Sequence, residues 1–244
     1  MKTGKNVVIT GVTSGIGQST AKRFVNEGHN VIGCGRREKR LNELSKDLGG
    51  TFTGIPADLG TPDGVDSLFS EMSSNYQDID LLVNNAGVGY ELSLIDGDRK
   101  HWIEMINVNL TAVALCCAKA LPGMVKRNSG HIVTISSMSG HRVTPGGGMY
   151  AATKHGVRAL MEGIRQDLAH RNSDVRVSMV SPGFVETEFY NAYYHDKPEE
   201  RANAFTTMKA LQSEDVAEAI SYTWSAPPHV GINDILMRPL QQTS

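Results

Sequence analysis

This chain has no charge surplus: 24 Lys and Arg face 26 Asp and Glu over 244 residues, a formal net charge of −2. That balance gives neither nucleic acid nor an anionic membrane a field to follow. Cysteine is scarce. Cys34, Cys116 and Cys117 are odd in number, two of them adjacent, and have no metal-ligand spacing, so they read as reduced thiols rather than a disulfide framework or a metal site. No apolar segment approaches the length of a membrane span, and MKTGKNVVITG runs straight into a strand without a signal-peptide region; the expected location is cytoplasmic. Low-complexity tracts, internal repeats and linkers are missing too, so one domain over residues 1–244 suffices.

What is present is a regular alternation of short β-branched runs and amphipathic helices, which implies a parallel sheet with right-handed crossovers. NVVIT (Asn6 to Thr10) suits a strand covered on both faces. It runs through TGVTSGIG into the helix QSTAKRFVNEG. Gly11, Gly15 and Gly17 let the backbone turn tightly and approach a pyrophosphate lying on the amide groups of that helix.

The next strand, NVIGCG (Asn30 to Gly35), lacks the terminal acid that binds an unmodified ribose diol; Gly35 stands there, followed by Arg36 and Arg37. A guanidinium at that place takes a ribose phosphate through charge-assisted bonds, which points to NADP(H) over NAD(H). TFTGI reads as a third strand, with Asp58 beyond its carboxyl end, where an adenine amino group can bind. IDLLVNNAG is a fourth strand, and Asn84, Asn85, Ala86 and Gly87 suit a polar turn under an adenosine.

A helical stretch from about Asp98 to Arg127 is interrupted by Asn107 and Asn109; an amide inside a helix can hold a water against an opened backbone bond, and Asn109 can thereby link Lys154 to solvent as a proton relay. After the strand HIVTISS comes YAATKHGVRALMEGIRQDLAH, in which Tyr150 and Lys154 stand at i and i+4 and leave one helix face. An ammonium held close to a phenol favours the phenolate and lowers its pKa, while Ser137 can bond a substrate oxygen. YxxxK alone is a weak signal, and its weight comes from the rest of the chain.

TGVTSGIG, NNAG at 84–87, Asn109 in NVNLTA, Ser137, YAATK and SPG at 181–183 together resemble the short-chain dehydrogenase/reductase family in order and spacing over essentially the whole chain. SMSGHRV, SPGFVETEF and the segment from LQSEDV to ILMRP are similar to a subgroup. It holds NADP-dependent 3-hydroxy-acid (serine-type) dehydrogenases of bacteria and farnesol-dehydrogenase-like and ketosteroid-reducing members of animals. The resemblance implies an α/β, Rossmann-type doubly wound parallel sheet of about seven strands with helices on both faces. It implies Tyr150 as general acid or base, Lys154 on the nicotinamide ribose and lowering the Tyr150 pKa, Ser137 orienting the substrate oxygen, and Asn109 anchoring the relay water.

By the same resemblance, Gly11, Thr13, Ser14, Gly15, Ile16, Gly17, Arg36, Arg37, Asp58, Leu59, Asn85, Ala86 and Gly87 bind the cofactor with Tyr150 and Lys154, while Pro182, Gly183, Val185 and Thr187 cover the nicotinamide. The C-terminal HVGINDILMRP departs from the wider family's Gly-rich turn but agrees with the subgroup. Helices from Asp98 and from Met149 resemble those that pair into four-helix bundles, so a homotetramer, or a homodimer, is expected.

Phe184, Phe189, Tyr190, Tyr193, Tyr194 and Phe205 concentrate the aromatics in one stretch of a segment at about 184–212. They form either an apolar lid over a lipophilic substrate or a helical core. Phe189 and His141 are the candidate substrate contacts beside Ser137 and Tyr150. Only Lys197 and Arg201 are placed there to clamp a small carboxylate. The reading is therefore an NADP(H)-dependent carbonyl reductase for a terpenoid or steroid type of substrate. A dehydrogenase of small 3-hydroxy acids is the alternative. A non-catalytic NADP(H) sensor has no need of Ser137, Tyr150 and Lys154 together, and an epimerase of the longer-chain group wants more C-terminal residues than this chain has.

Overall fold

A computed structural model describes residues 4–73, 78–203, 205–206 and 208–243, leaving aside the side chains of Ser73 and Arg201. In chain order the elements are β1 (Asn6–Thr10), α1 (Gly15–Asn26), β2 (Asn30–Gly35), α2 (Glu38–Leu48), β3 (Phe52–Pro56), α3 (Pro62–Ser73) and β4 (Leu81–Asn84). There follow α4 (Arg99–Ile106), a π-helical turn (Asn107–Thr111), α5 (Ala112–Arg127), β5 (His131–Ile135), α6 (Gly148–His170) and β6 (Arg176–Pro182). Two short helices, α7 (Phe189–Tyr193) and α8 (Pro198–Asn203), precede α9 (Ser213–Ser225) and β7 (Asp234–Met237). Among the described residues the strands form one seven-stranded sheet in the order β3-β2-β1-β4-β5-β6-β7, every pair parallel.

Strand side chains alternate between faces, and both faces are apolar. Val8, Ile32, Leu82 and Ile132 pack with Leu68 of α3, Cys116 and Met124 of α5, and Val157 and Met161 of α6. On the other face Val7, Ile9, Leu81 and Val83 meet Phe24 of α1, Leu41 and Leu44 of α2, and Val216, Ile220 and Trp224 of α9. Burying each such large side chain contributes about 1.5–3 kcal/mol, and covering both faces explains why the strands read as apolar runs.

One expectation is corrected. The helical stretch Arg99–Arg127 contains an 18-residue window of mean hydropathy 1.6 and is long and apolar enough, by length and composition, to cross a membrane. Part of its apolar surface, at Val113, Cys116, Ala120 and Met124, is buried in the core.

Candidate active site

Connections leave β1 and β4 in opposite directions along the sheet, and their carboxyl ends open a cleft of about 370 Å³, the crevice at which such sheets bind ligands. Gly11 has φ +74°, where a Cβ would also lie 2.9 Å from the Ala86 Cα, and a Cβ on Gly17 would collide with the Gly11 carbonyl oxygen. Only glycine fits either place. The Asn85 amide donates to the Thr10 carbonyl at 2.8 Å, and Thr10 Oγ1 accepts the Asn85 and Ala86 amides at 2.9 Å each. These bonds tie the two strand ends together.

Ser14 is extended at the start of α1 and gives no side-chain cap, and no acidic residue stands in the first turn. The helix amides and positive dipole end are therefore open to an anion. Thr13, Ser14, Gly15 and Ile16 line this end of the cleft, with Asp58, buried Leu59 and Gly87 farther along. Asp58 Oδ1 accepts the Gly60 amide at 3.0 Å. Arg36 is exposed, its Nη1 3.6 Å from Glu104 Oε1. Arg37 donates Nε and Nη2 to Thr13 Oγ1 at 2.9 and 2.7 Å, and Nη2 to Ser14 Oγ at 2.6 Å. An open helix terminus, a glycine floor and guanidinium groups at the rim fit a phosphorylated dinucleotide, held by these residues.

Tyr150 and Lys154 leave the same face of α6 and are both buried. Lys154 Nζ donates to the Ile135 carbonyl at the end of β5, 2.9 Å away, and lies 5.7 Å from the centre of the Tyr150 ring. Ser137 begins a tight turn over residues 138–140, where its Oγ accepts the Ser139 amide at 3.0 Å, and it lines the same cavity as Tyr150. The three side chains line a second cavity, of about 260 Å³, together with Pro182, Gly183, Val185 and Thr187. Its roof is α7, with the Phe189 and Tyr193 rings 5.6 and 5.9 Å from that of Tyr150.

Asn109 is fully buried in the π-helical turn. Its amide donates to the Val88 carbonyl at 2.8 Å and to Thr153 Oγ1 at 3.2 Å, and its oxygen accepts the Val88 amide at 2.9 Å. The opened helix read from Asn107 and Asn109 is thus present. The amide itself is committed to Val88 and Thr153, so a proton relay here would use backbone groups that the π-turn frees. His141 turns away from the cavity lining, its Nε2 3.0 Å from Asp234 Oδ2 on β7.

A family model described as short chain dehydrogenase matches residues 5–198. The chain belongs to the short-chain dehydrogenase/reductase family. It is 41% identical to the dehydrogenase/reductase SDR family member 11 of Bos taurus, over 97% of this chain and 96% of that protein. It is 35% identical to the serine 3-dehydrogenase of Agrobacterium fabrum, over 97% and 94%. The closed form of serine dehydrogenase complexed with NADP+ superposes with a TM-score of 0.93 at 34% identity, covering 98% of this chain and 96% of that one. These relatives lie in the subgroup that the SMSGHRV and SPGFVETEF segments resemble.

Burial governs the ionisation of this dehydrogenase's central pair. It pushes the Tyr150 phenol above its ordinary value of 10, with the nearby Ser137 hydroxyl pulling part of the way back. It also pushes the Lys154 ammonium down to about 8. The expected net lowering of the phenol by its neighbouring amine is therefore reversed, because desolvation disfavours both charged forms. All three thiols are buried, with Cys34 and Cys117 pushed up to about 12.

Several groups at the site escaped the sequence reading. Glu188, which lines the cofactor cleft, pairs with Arg40 at 2.7 Å. Gln242, returning from the C-terminal segment, lines the second cavity and accepts the Phe184 amide at 3.0 Å. Arg142 lines it too, and its Nε is buried with no hydrogen-bond partner among the described residues. Lys197 is taken by Glu91 at 2.7 Å, and Arg201 lies outside the described side chains. RRxxR at 36–40 was the one local signal for Arg40; the others are brought in by chain distant in sequence.

Proposed function

We propose that the protein uses NADP(H) to interconvert an alcohol with a ketone or aldehyde, acting as a carbonyl reductase on a lipophilic substrate. The observation that carries this reading is a buried phenol that shares its cavity with Ser137 and Lys154 beneath an aromatic roof, in a cavity that has Ile16, Gly87 and Thr187 in common with the cofactor cleft. The nicotinamide, when bound, supplies the hydride. A phenol pushed above its ordinary value keeps its proton at neutral pH, which suits Tyr150 to giving that proton to a carbonyl oxygen. Ser137 holds the same oxygen, Lys154 holds the coenzyme ribose, and α7 excludes water. The ring cluster of Phe184, Phe189, Tyr190 and Tyr193 favours an apolar substrate of terpenoid or steroid type.

A second reading has one specific support. The unpartnered Arg142 Nε in the cavity wall suits an acid group, and the named activity of the Agrobacterium relative is on serine. The proposal extends to a homotetramer working in the cytoplasm. Association is supported by exposed Ile103 and Ile106 on α4, which packs beside α6.

The test is NADPH consumption with farnesal, a ketosteroid and the oxo form of a small 3-hydroxy acid. The apolar carbonyls should turn over, and Tyr150→Phe should lower kcat at least about 100-fold while NADPH binding stays measurable. Turnover of the acid alone would favour the second reading, and unchanged turnover in the variant would remove Tyr150 from the mechanism.

A further inference from the structure

Two guanidinium groups at the start of α2 converge on one carboxylate from the far half of the chain. Glu188 Oε2 accepts Arg37 Nη1 at 2.8 Å and Arg40 Nη1 at 2.7 Å. Arg37 Nε and Nη2 are spent on Thr13 and Ser14, and Arg40 Nη1 also reaches the Thr13 carbonyl at 3.4 Å. The hydrogen bonds from Arg40 and Arg37 hold the Glu188 carboxyl down to about 2, so it is an anion at any physiological pH. Arg37 Nη1 cannot be given in full to a ribose phosphate while it serves Glu188, and two anions at that separation repel. Glu188 also stands immediately before α7, next to Phe189, whose ring lies against Tyr150.

We propose that Glu188 is a coenzyme-specificity residue: an internal anion that occupies the ribose-phosphate subsite, is displaced from Arg37 and Arg40 by the 2′-phosphate of NADP(H), and thereby couples that phosphate to the roof over Tyr150. NAD(H), which has no 2′-phosphate, leaves the contact in place. Glu188 therefore weakens NADP(H) binding by the strength of its own ion pairs and leaves NAD(H) binding unaltered. The inference takes NADP(H) as the coenzyme and is independent of the substrate, so its test involves no turnover.

NADPH and NADH are titrated by fluorescence against the wild type and Glu188→Gln. The substitution should tighten NADPH about three- to tenfold, the scale of one or two half-exposed ion pairs, and move NADH by less than about twofold. Glu188→Asp, which withdraws the charge by one methylene, should shift NADPH in the same direction by less. In the wild type, 2′,5′-ADP should speed amide hydrogen exchange over residues 186–193 and 5′-ADP should not; in Glu188→Gln that segment should exchange fast without ligand. Unchanged or weaker NADPH binding, an equal shift for both coenzymes, or slower exchange with 2′,5′-ADP would each overturn the proposal.

Discussion

Lys154 is a buried cation whose one hydrogen bond described here goes to the Ile135 carbonyl, and it costs the fold something at neutral pH. Its ammonium is pushed down to about 8 from 10.5 by burial. In the unfolded chain the same group holds its proton to the ordinary value. Between these two values the unfolded state binds more protons, so stability rises with pH across that window and is level with respect to this group below it. Comparing coenzyme-free wild type with Lys154→Met cancels the other titrating groups. The wild type should gain on the variant by on the order of 1–3 kcal/mol between pH 8 and 10.5, read from urea unfolding at a series of pH values. A constant difference would mean that the ammonium is not desolvated. Tyr150 obeys the same physics with opposite sign, since burial holds the proton on a phenol and takes it from an amine.

At the scale of elements, the π-helical turn is the joint that lets one long helical stretch serve two purposes. Asn109 leaves the α-helical pattern and clamps Val88, the residue after the NNAG turn, by both its amide and its carbonyl. Asn109→Leu keeps the branching and number of heavy atoms and abolishes three hydrogen bonds. It should cost about 2–4 kcal/mol and weaken NADPH binding through the loosened 84–88 segment, with far-UV circular dichroism unaltered. A urea midpoint within experimental error of wild type would show that Val88 is held by something else. This joint was legible in the sequence because asparagines inside an apolar helix are locally out of place. The same holds for β1 and β2, whose bounds match the β-branched runs to the residue, and for the glycines between β1 and α1. The roof was legible only as one of two alternatives, an aromatic lid or a helical core. At five residues, α7 is too short for periodicity to establish, and it is held by ring contacts with Tyr150 from another element. Arg40 and Glu188, separated by 148 positions, leave no local signal of their meeting, and neither does the approach of Gln242 to Phe184.

On the scale of the whole molecule, chain order and spatial order disagree in a way that determines how the protein comes apart. β1 lies in the interior of the sheet beside β4, and α1 packs against α9, the last helix, more extensively than any other pair of helices described. Arg23 pairs with Glu218, Ser19 Oγ donates to Glu214 at 2.8 Å and Ser221 Oγ to Glu27 at 2.8 Å. The two halves that motif reading separates, one for the dinucleotide and one for the reaction, share a sheet and two apolar layers, so neither can be released without opening the other. Unfolding should therefore be a single transition. Three probes sit in different places: Trp102 and Trp224 report from α4 and α9, circular dichroism reports all helices, and buried Cys34, Cys116 and Cys117 report from β2 and α5. The thiols should be silent to a disulfide reagent in the native protein, and all three curves should share one midpoint in urea. Self-association would raise that midpoint with protein concentration while the curves still coincide. A thiol signal from α5 that precedes the fluorescence change would show that the face formed by α3, α5 and α6 opens independently, and the single-unit account would fail.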